Sequence, residues 1–200
     1  MAISSLGMLM HAKGDPAAAE ALLRETLEVK RETLGNRHPS TLISIDNLGS
    51  LLQDKGDLAA AEPLQREALE GQRKTLGNRH PHTLASINNL GLLLQDDKGD
   101  LAAAEPLYRE ALEGKREVLG NRHPDTLITI SNLGALLQDK GDLAAAEPLL
   151  REALEVKVAA KKAAAERAAE TVVAEEVEVT ESESESESES ESEGGDVAAA

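Results

Sequence analysis

Cysteine, phenylalanine and tryptophan are absent from this 200-residue chain, and tyrosine occurs once. Without cysteine there is no disulfide framework, no thiolate nucleophile and no zinc–sulfur site, and a reducing compartment suits the chain. Without aromatics, a core has to be built from Leu, Ile, Val, Met and Ala. Leu and Ala are strong helix formers, while the aromatic residues that favour strands are missing. The composition predicts an all-α protein. Long apolar runs are also missing. The opening Met1-Ala-Ile-Ser-Ser-Leu-Gly-Met-Leu-Met10 has no basic n-region and is soon interrupted by Lys13, Gly14 and Asp15. Neither a signal peptide nor a membrane span is expected, and a cytoplasmic location is.

Positive charge is in short supply. Lys and Arg number 21 against 37 Asp and Glu, for a net charge of −16. From Val158 onward three basic residues (Lys161, Lys162, Arg167) face thirteen acidic ones, so the excess lies mostly in the tail. A nucleic acid would be repelled by both parts of the chain, which argues against it as a partner.

What the sequence does contain is a repeat. Gly-Asp recurs at 14–15, 56–57, 99–100 and 141–142, and His-Pro at 38–39, 80–81 and 123–124. The spacing is 42 residues, with one extra residue in Gln95-Asp96-Asp97-Lys98 where other copies have Gln53-Asp54-Lys55 and Gln138-Asp139-Lys140. Periods of this length mark repeat architectures. Each unit reads as two helices. The first spans about Pro39 to Asp54, with Leu42, Ile45, Leu48 and Leu52 at the three-to-four spacing of one face. Pro39 suits a first turn, where its missing N–H costs nothing. Gly56 supplies a positive φ after the helix, and Asp57 caps the next, which runs from about Leu58 to Leu76. Neither helix buries its apolar stripe alone, but stacked pairs share a continuous core. Pro63, Pro106 and Pro148 fall about six residues into each second helix, where a bend is expected.

Small residues at Gly49, Ala61 and Ala68, repeated as Gly91, Ala104, Ala111 and Gly134, Ala146, Ala153, resemble the tetratricopeptide signature. The 42-residue length, Asn-Asn-Leu-Gly and the stretch Ala-Leu-Glu-x-x-Arg-x-x-Leu-Gly-Asn-Arg-His-Pro are similar to the longer variant of kinesin light chains and nephrocystin-type proteins. The resemblance implies a right-handed helical-repeat solenoid of stacked antiparallel helix pairs over residues 1–157. It has about four repeats, the first truncated, since the chain begins inside a first helix (Ile3, Leu6, Gly7, Met10). The second-helix position that is usually aromatic holds Leu23, Gln65, Tyr108 and Leu150. Residues 158–178 continue as a helical extension or cap. Residues 179–200, with Glu and Ser alternating from Glu181 to Glu193, form a disordered acidic tail with serines in an acidophilic-kinase pattern.

The resemblance also implies a function, a protein-interaction scaffold or adaptor holding a peptide in the concave groove lined by the first helices. The alternative is a sensing or regulatory repeat module of a larger enzyme or nucleotide-driven switch. By helical phase Asp46, Asn88 and Ser131 point away from the core, as do Gln53, Gln95 and Gln138, while Asn47, Asn89 and Asn132 lie at the edge of that surface. In the families this chain resembles, Asn here touches the main chain of an extended peptide, which suits an amide's paired donor and acceptor. The competing role is bonding to the neighbouring repeat. Arg37, Arg79 and Arg122 lack a Glu four residues before them and are candidates for an acidic ligand. Arg24, Arg66, Arg109 and Arg151 each follow a Glu by four and are expected as helix-surface ion pairs. His38, His80 and His123 lie a repeat apart, too far to share a metal, and are expected to cap the following helices. Gly91 is expected at a close helix approach and Gly114 at an exposed site. No catalytic motif, cofactor or metal is implied, and the partner is a protein or peptide rather than a membrane. A microtubule motor enters as a partner only through the resemblance to kinesin light chains.

Overall fold

The computed structural model describes residues 15–165 and 167, apart from the side chains of Asp97 and Lys98. The expected truncated first helix, the acidic tail and most of the helical extension lie outside the described residues. All regular structure among the described residues is helical. The helices are α1 (Pro16–Leu34), α2 (Pro39–Asp54), α3 (Leu58–Thr75), α4 (Pro81–Lys98), α5 (Leu101–Leu119), α6 (Pro124–Asp139) and α7 (143–165). Among the described residues, 15–153 and 154–165 belong to separate units.

Helix ends follow from local chemistry. Asp15, Asp57, Asp100 and Asp142 each accept a hydrogen bond from the backbone N–H three residues on, capping α1, α3, α5 and α7. The other three helices open differently. His38, His80 and His123 hold extended backbone, and each Nδ1 accepts from the N–H two residues later. Proline follows each histidine and fills the first helical position, so capping is the role these histidines perform. Among the described residues no group of three potential metal ligands occurs. The extra residue of the third repeat is absorbed by lengthening: α4 has 18 residues where α2 and α6 have 16. Gly99, at φ 57°, then stops it in the left-handed conformation that glycine adopts freely.

Each helix packs on its sequence neighbours, and the first helices also touch one another, α2 with α4 and α4 with α6. Leu42, Ile45, Leu48 and Leu52 are all buried, as are their counterparts in α4 and α6. Fully burying one such side chain contributes ~1.5–3 kcal/mol. The signature glycines make room for one second-helix residue. A Cβ on Gly49 would stand 2.9 Å from Gln65 Cγ, on Gly91 3.0 Å from Tyr108 Cε1, and on Gly134 2.6 Å from Leu150 Cδ2. Gln65 thus occupies the aromatic's place, buried, with its Nε2 donating to Gln53 Oε1 at 2.8 Å. Gly114 departs from expectation. It is buried, and a Cβ there would lie 2.4 Å from Leu84 Cδ2, because the C-terminal half of α5 rests on α4.

Candidate functional site

Two faces differ in their chemistry, that of the second helices and that of the first. On the second helices, charge is already matched. Glu20, Glu62, Glu105 and Glu147 pair with Arg24, Arg66, Arg109 and Arg151 one turn on. Arg31–Glu67, Arg73–Glu110 and Arg116–Glu152 join consecutive second helices at 3.1, 2.6 and 2.5 Å. Lys55 and Lys140 reach back from the first-helix ends to Glu20 and Glu105, and these cations hold both carboxyls below their ordinary range.

The first helices meet in polar seams. Between α4 and α6, Lys115 Nζ donates to Thr129 Oγ1 at 2.9 Å and to the Asp125 carbonyl at 3.3 Å. Thr129 Oγ1 donates in turn to Asn88 Oδ1 at 3.0 Å, which also accepts from Asn132 Nδ2 at 3.3 Å. Burial pushes the Lys115 ammonium below its usual range. One repeat earlier, Ser86 Oγ donates to Gln72 Oε1 at 2.8 Å, and Asn89 Nδ2 to Ser50 Oγ at 3.3 Å. Here Asp46 stands where α4 has Asn88. Burial raises its carboxyl to about 6 against the pull of the neighbouring Ser86 and Asn89. Its Oδ1 is buried without a hydrogen-bond partner.

At the edge of the seams, one stripe of each first helix stays half-exposed or exposed. On α2 it is Ile43, Asn47, Ser50 and Asp54, and on α4 Ala85, Asn89, Leu92 and Asp96. On α6 it is Ile128, Asn132, Ala135 and Asp139, with Ile128 53% exposed. The spacing i, i+4, i+7, i+11 lays each set along one helix face. Side by side, the helices present four rows: aliphatic, amide, small or aliphatic, and carboxylate.

The tetratricopeptide repeat model matches residues 1–74, 43–117 and 97–157, most of the sequence. The chain belongs to the tetratricopeptide repeat family. Solved structures agree. A kinesin light chain-like protein of Podosopora anserina with nearly identical TPR-like repeats shares 26% identity, at TM-score 0.62, over 79% of this chain and 74% of that one. A point variant of it gives 25% and 0.64 over 80% and 75%. BtubC from P. vanneervenii has TM-score 0.69 at 23% identity over 80% of this chain and 63% of that one, a likeness of fold. No curated relative matches the sequence. The tetratricopeptide repeats here are therefore of the kinesin light chain-like type, a class of helical solenoid that mediates protein–protein interaction.

Within these tetratricopeptide repeats the expected groove residues divide. Asn47 is half-exposed, its amide unengaged among the described residues, and Gln138 is exposed. Asn89 and Asn132 are half-exposed but donate across the seams, and Ser131 Oγ donates to the Leu127 carbonyl. Gln53 and Gln95 accept from Gln65 and Tyr108, the latter at 3.2 Å. Asn88 was expected to face outward and does not: it is 7% exposed, because its side of α4 meets α6. Arg79 was expected as a candidate for an acidic ligand, but Glu117 and Glu113 of the next second helix lie 2.8 and 3.4 Å away. Arg37 borders a cleft with Arg66, Glu67, Glu70 and Lys74, and its charge acts on Glu70. Arg122 is exposed with no ion pair among the described residues. Sequence reasoning missed the seam residues Gln72 and Lys115, and the aliphatic row of Ile43, Ala85 and Ile128. The i, i+4, i+7, i+11 spacing was the signal for that row. No helix among the described residues is long and apolar enough to cross a membrane.

Proposed function

We propose that this chain is a protein-interaction scaffold or adaptor, not an enzyme, and that it binds a peptide segment along the first-helix stripes, the groove of the repeats. The observation that carries this reading is the aliphatic–amide pair on each first helix, Ile43 with Asn47, Ala85 with Asn89, and Ile128 with Asn132, half-exposed but for the exposed Ile128. An exposed isoleucine offers apolar area, and the adjacent amide donates to and accepts from a peptide main chain. Without aromatic anchors affinity should be modest. Asp46, Gln53, Gln95, Gln138 and Ser131 border this strip, and Arg122 is the loop arginine best placed to meet an acidic group. The cytoplasm is the compartment proposed.

The test is selection of peptides from a random display library on the full chain, followed by titration of one selected peptide. Against Ile43→Ser/Asn47→Ala/Ile128→Ser, affinity should fall at least about tenfold while the circular dichroism spectrum is unchanged. Unaltered affinity would put the binding surface elsewhere and reject the reading.

A further inference from the structure

We propose that the α2–α4 seam is a proton-operated joint. Asp46 of α2 and Gln72 of α3 tie the two first helices together while the Asp46 carboxyl carries a proton, and loosen them once it is ionised.

Both first-helix seams follow one plan. The repeat spacing puts Asp46, Ser86, Asn89 and Gln72 where the α4–α6 seam has Asn88, Thr129, Asn132 and Lys115. A hydroxyl has one proton to give and lone pairs to accept with. In the α4–α6 seam Lys115 Nζ donates to Thr129 Oγ1, which leaves the Thr129 proton for Asn88 Oδ1. In the α2–α4 seam the order is reversed. Gln72 offers a carbonyl oxygen in place of an ammonium, and Ser86 Oγ donates its proton to it at 2.8 Å. Asn89 Nδ2 donates to Ser50 Oγ at 3.3 Å. Asp46 Oδ1 is left buried without a donor.

A carboxylate only accepts, whereas a protonated carboxyl also donates. With its proton turned to Gln72, the Ser86 oxygen keeps a lone pair for the neighbouring carboxyl. A proton on Asp46 completes a chain in which Asp46 donates to Ser86 and Ser86 to Gln72. Once ionised, the carboxyl meets lone pairs, and Ser86 serves it only by giving up Gln72. A buried charge short of donors is costly, and parting the helices to admit water relieves it.

Among the described residues no opposite charge offsets the carboxylate. It is acted on by burial and by the neutral Ser86 and Asn89 of α4, while α3 presents the neutral Gln72. The ammonium that α1 turns to α2, Lys30, is held by Ser44 Oγ and the Ser40 carbonyl at 2.7 and 3.2 Å. Burial prevails and lifts the carboxyl to about 6, from an ordinary 3.8. The tie is therefore complete in acid and is lost as pH rises through the raised value. Ser50 and Asn89, which bond across the joint, belong to the half-exposed stripes of α2 and α4, so the spacing of those stripes follows the proton.

The experiment is hydrogen exchange of the full chain at about pH 5 and about pH 7.5, read by mass spectrometry and corrected for intrinsic exchange. Protection of 41–52 in α2 should be about tenfold higher in acid, as a shift from 3.8 to about 6 requires. Protection of 126–137 in α6 should change less than about twofold. Asp46→Asn should hold α2 at the acid level at both pH values. Gln72→Lys installs the Lys115 arrangement, gives the ionised carboxyl its donor, and should likewise flatten the response. A response that persists in either variant overturns the proposal, as does an equal response in α6. If Gln72→Lys lowers protection at both pH values, the seam has been disturbed and Asp46→Asn alone decides.

Discussion

Thr129 on α6 donates its hydroxyl proton to Asn88 Oδ1 on α4 across 3.0 Å, and this bond joins two first helices that lie 41 residues apart in sequence. Asn132 adds a second donor to the same oxygen. Asn88→Ala should therefore lower stability by ~0.5–1.5 kcal/mol, because it removes the acceptor shared by two donors from the neighbouring helix and leaves the Thr129 hydroxyl only the Asp125 carbonyl of its own helix. Asn47→Ala, at an unengaged amide, should stay within about 0.5 kcal/mol of the parent. Urea titrations of the two variants decide the matter, and equal midpoints would contradict the seam.

Asp46→Asn should stabilise the protein, and by an amount that depends on pH. The folded carboxyl sits at about 6, against an ordinary 3.8. Between those values the folded state holds the proton more tightly, so this group's contribution to stability declines as pH rises and is spent above the folded value. At about 1.4 kcal/mol per unit, removing the charge is worth on the order of 3 kcal/mol at pH 7.5 and well under about 1 kcal/mol at pH 4. Melting curves of both proteins at the two pH values test this. A constant offset would show that the carboxylate charge is not the cause.

Gly114→Ala should destabilise, although alanine is the better helix former by about 1 kcal/mol. The new methyl would stand 2.4 Å from Leu84 Cδ2 and 3.3 Å from Arg79 Nη1, and Leu84 is fully buried. Overpacking of this kind costs ~1–3 kcal/mol. Gly91→Ala meets Tyr108 at the looser distance of 3.0 Å and should cost less. A rise in melting temperature for Gly114→Ala would mean that Leu84 yields freely.

The ion pair between Arg116 and Glu152 links α5 to α7, with each side chain about one-third exposed. A double-mutant cycle with Ala at both positions should return a coupling of ~0.2–1 kcal/mol, shrinking as salt is added. A coupling that survives concentrated salt would indicate packing of the arginine stem instead.

The sequence by itself determined whatever is local. The 42-residue period, the span Pro39–Asp54, the aspartate and histidine caps, and the Glu–Arg pairs one turn apart were all legible, since helix geometry fixes which residues lie three or four positions apart. Only the tertiary structure decided which polar residues face a neighbouring helix and which stay exposed. The burial of Asn88, the capture of Arg79 by Glu113 and Glu117, the crowding of Gly114 and the isolation of Asp46 Oδ1 all arise where one helix lies against another of the stack. Those contacts depend on the offset and angle at which helices pack. Helical phase gives a residue's direction about its own axis but not the position of the next helix, and a side chain some 60° from the open stripe is exposed or buried according to that position alone.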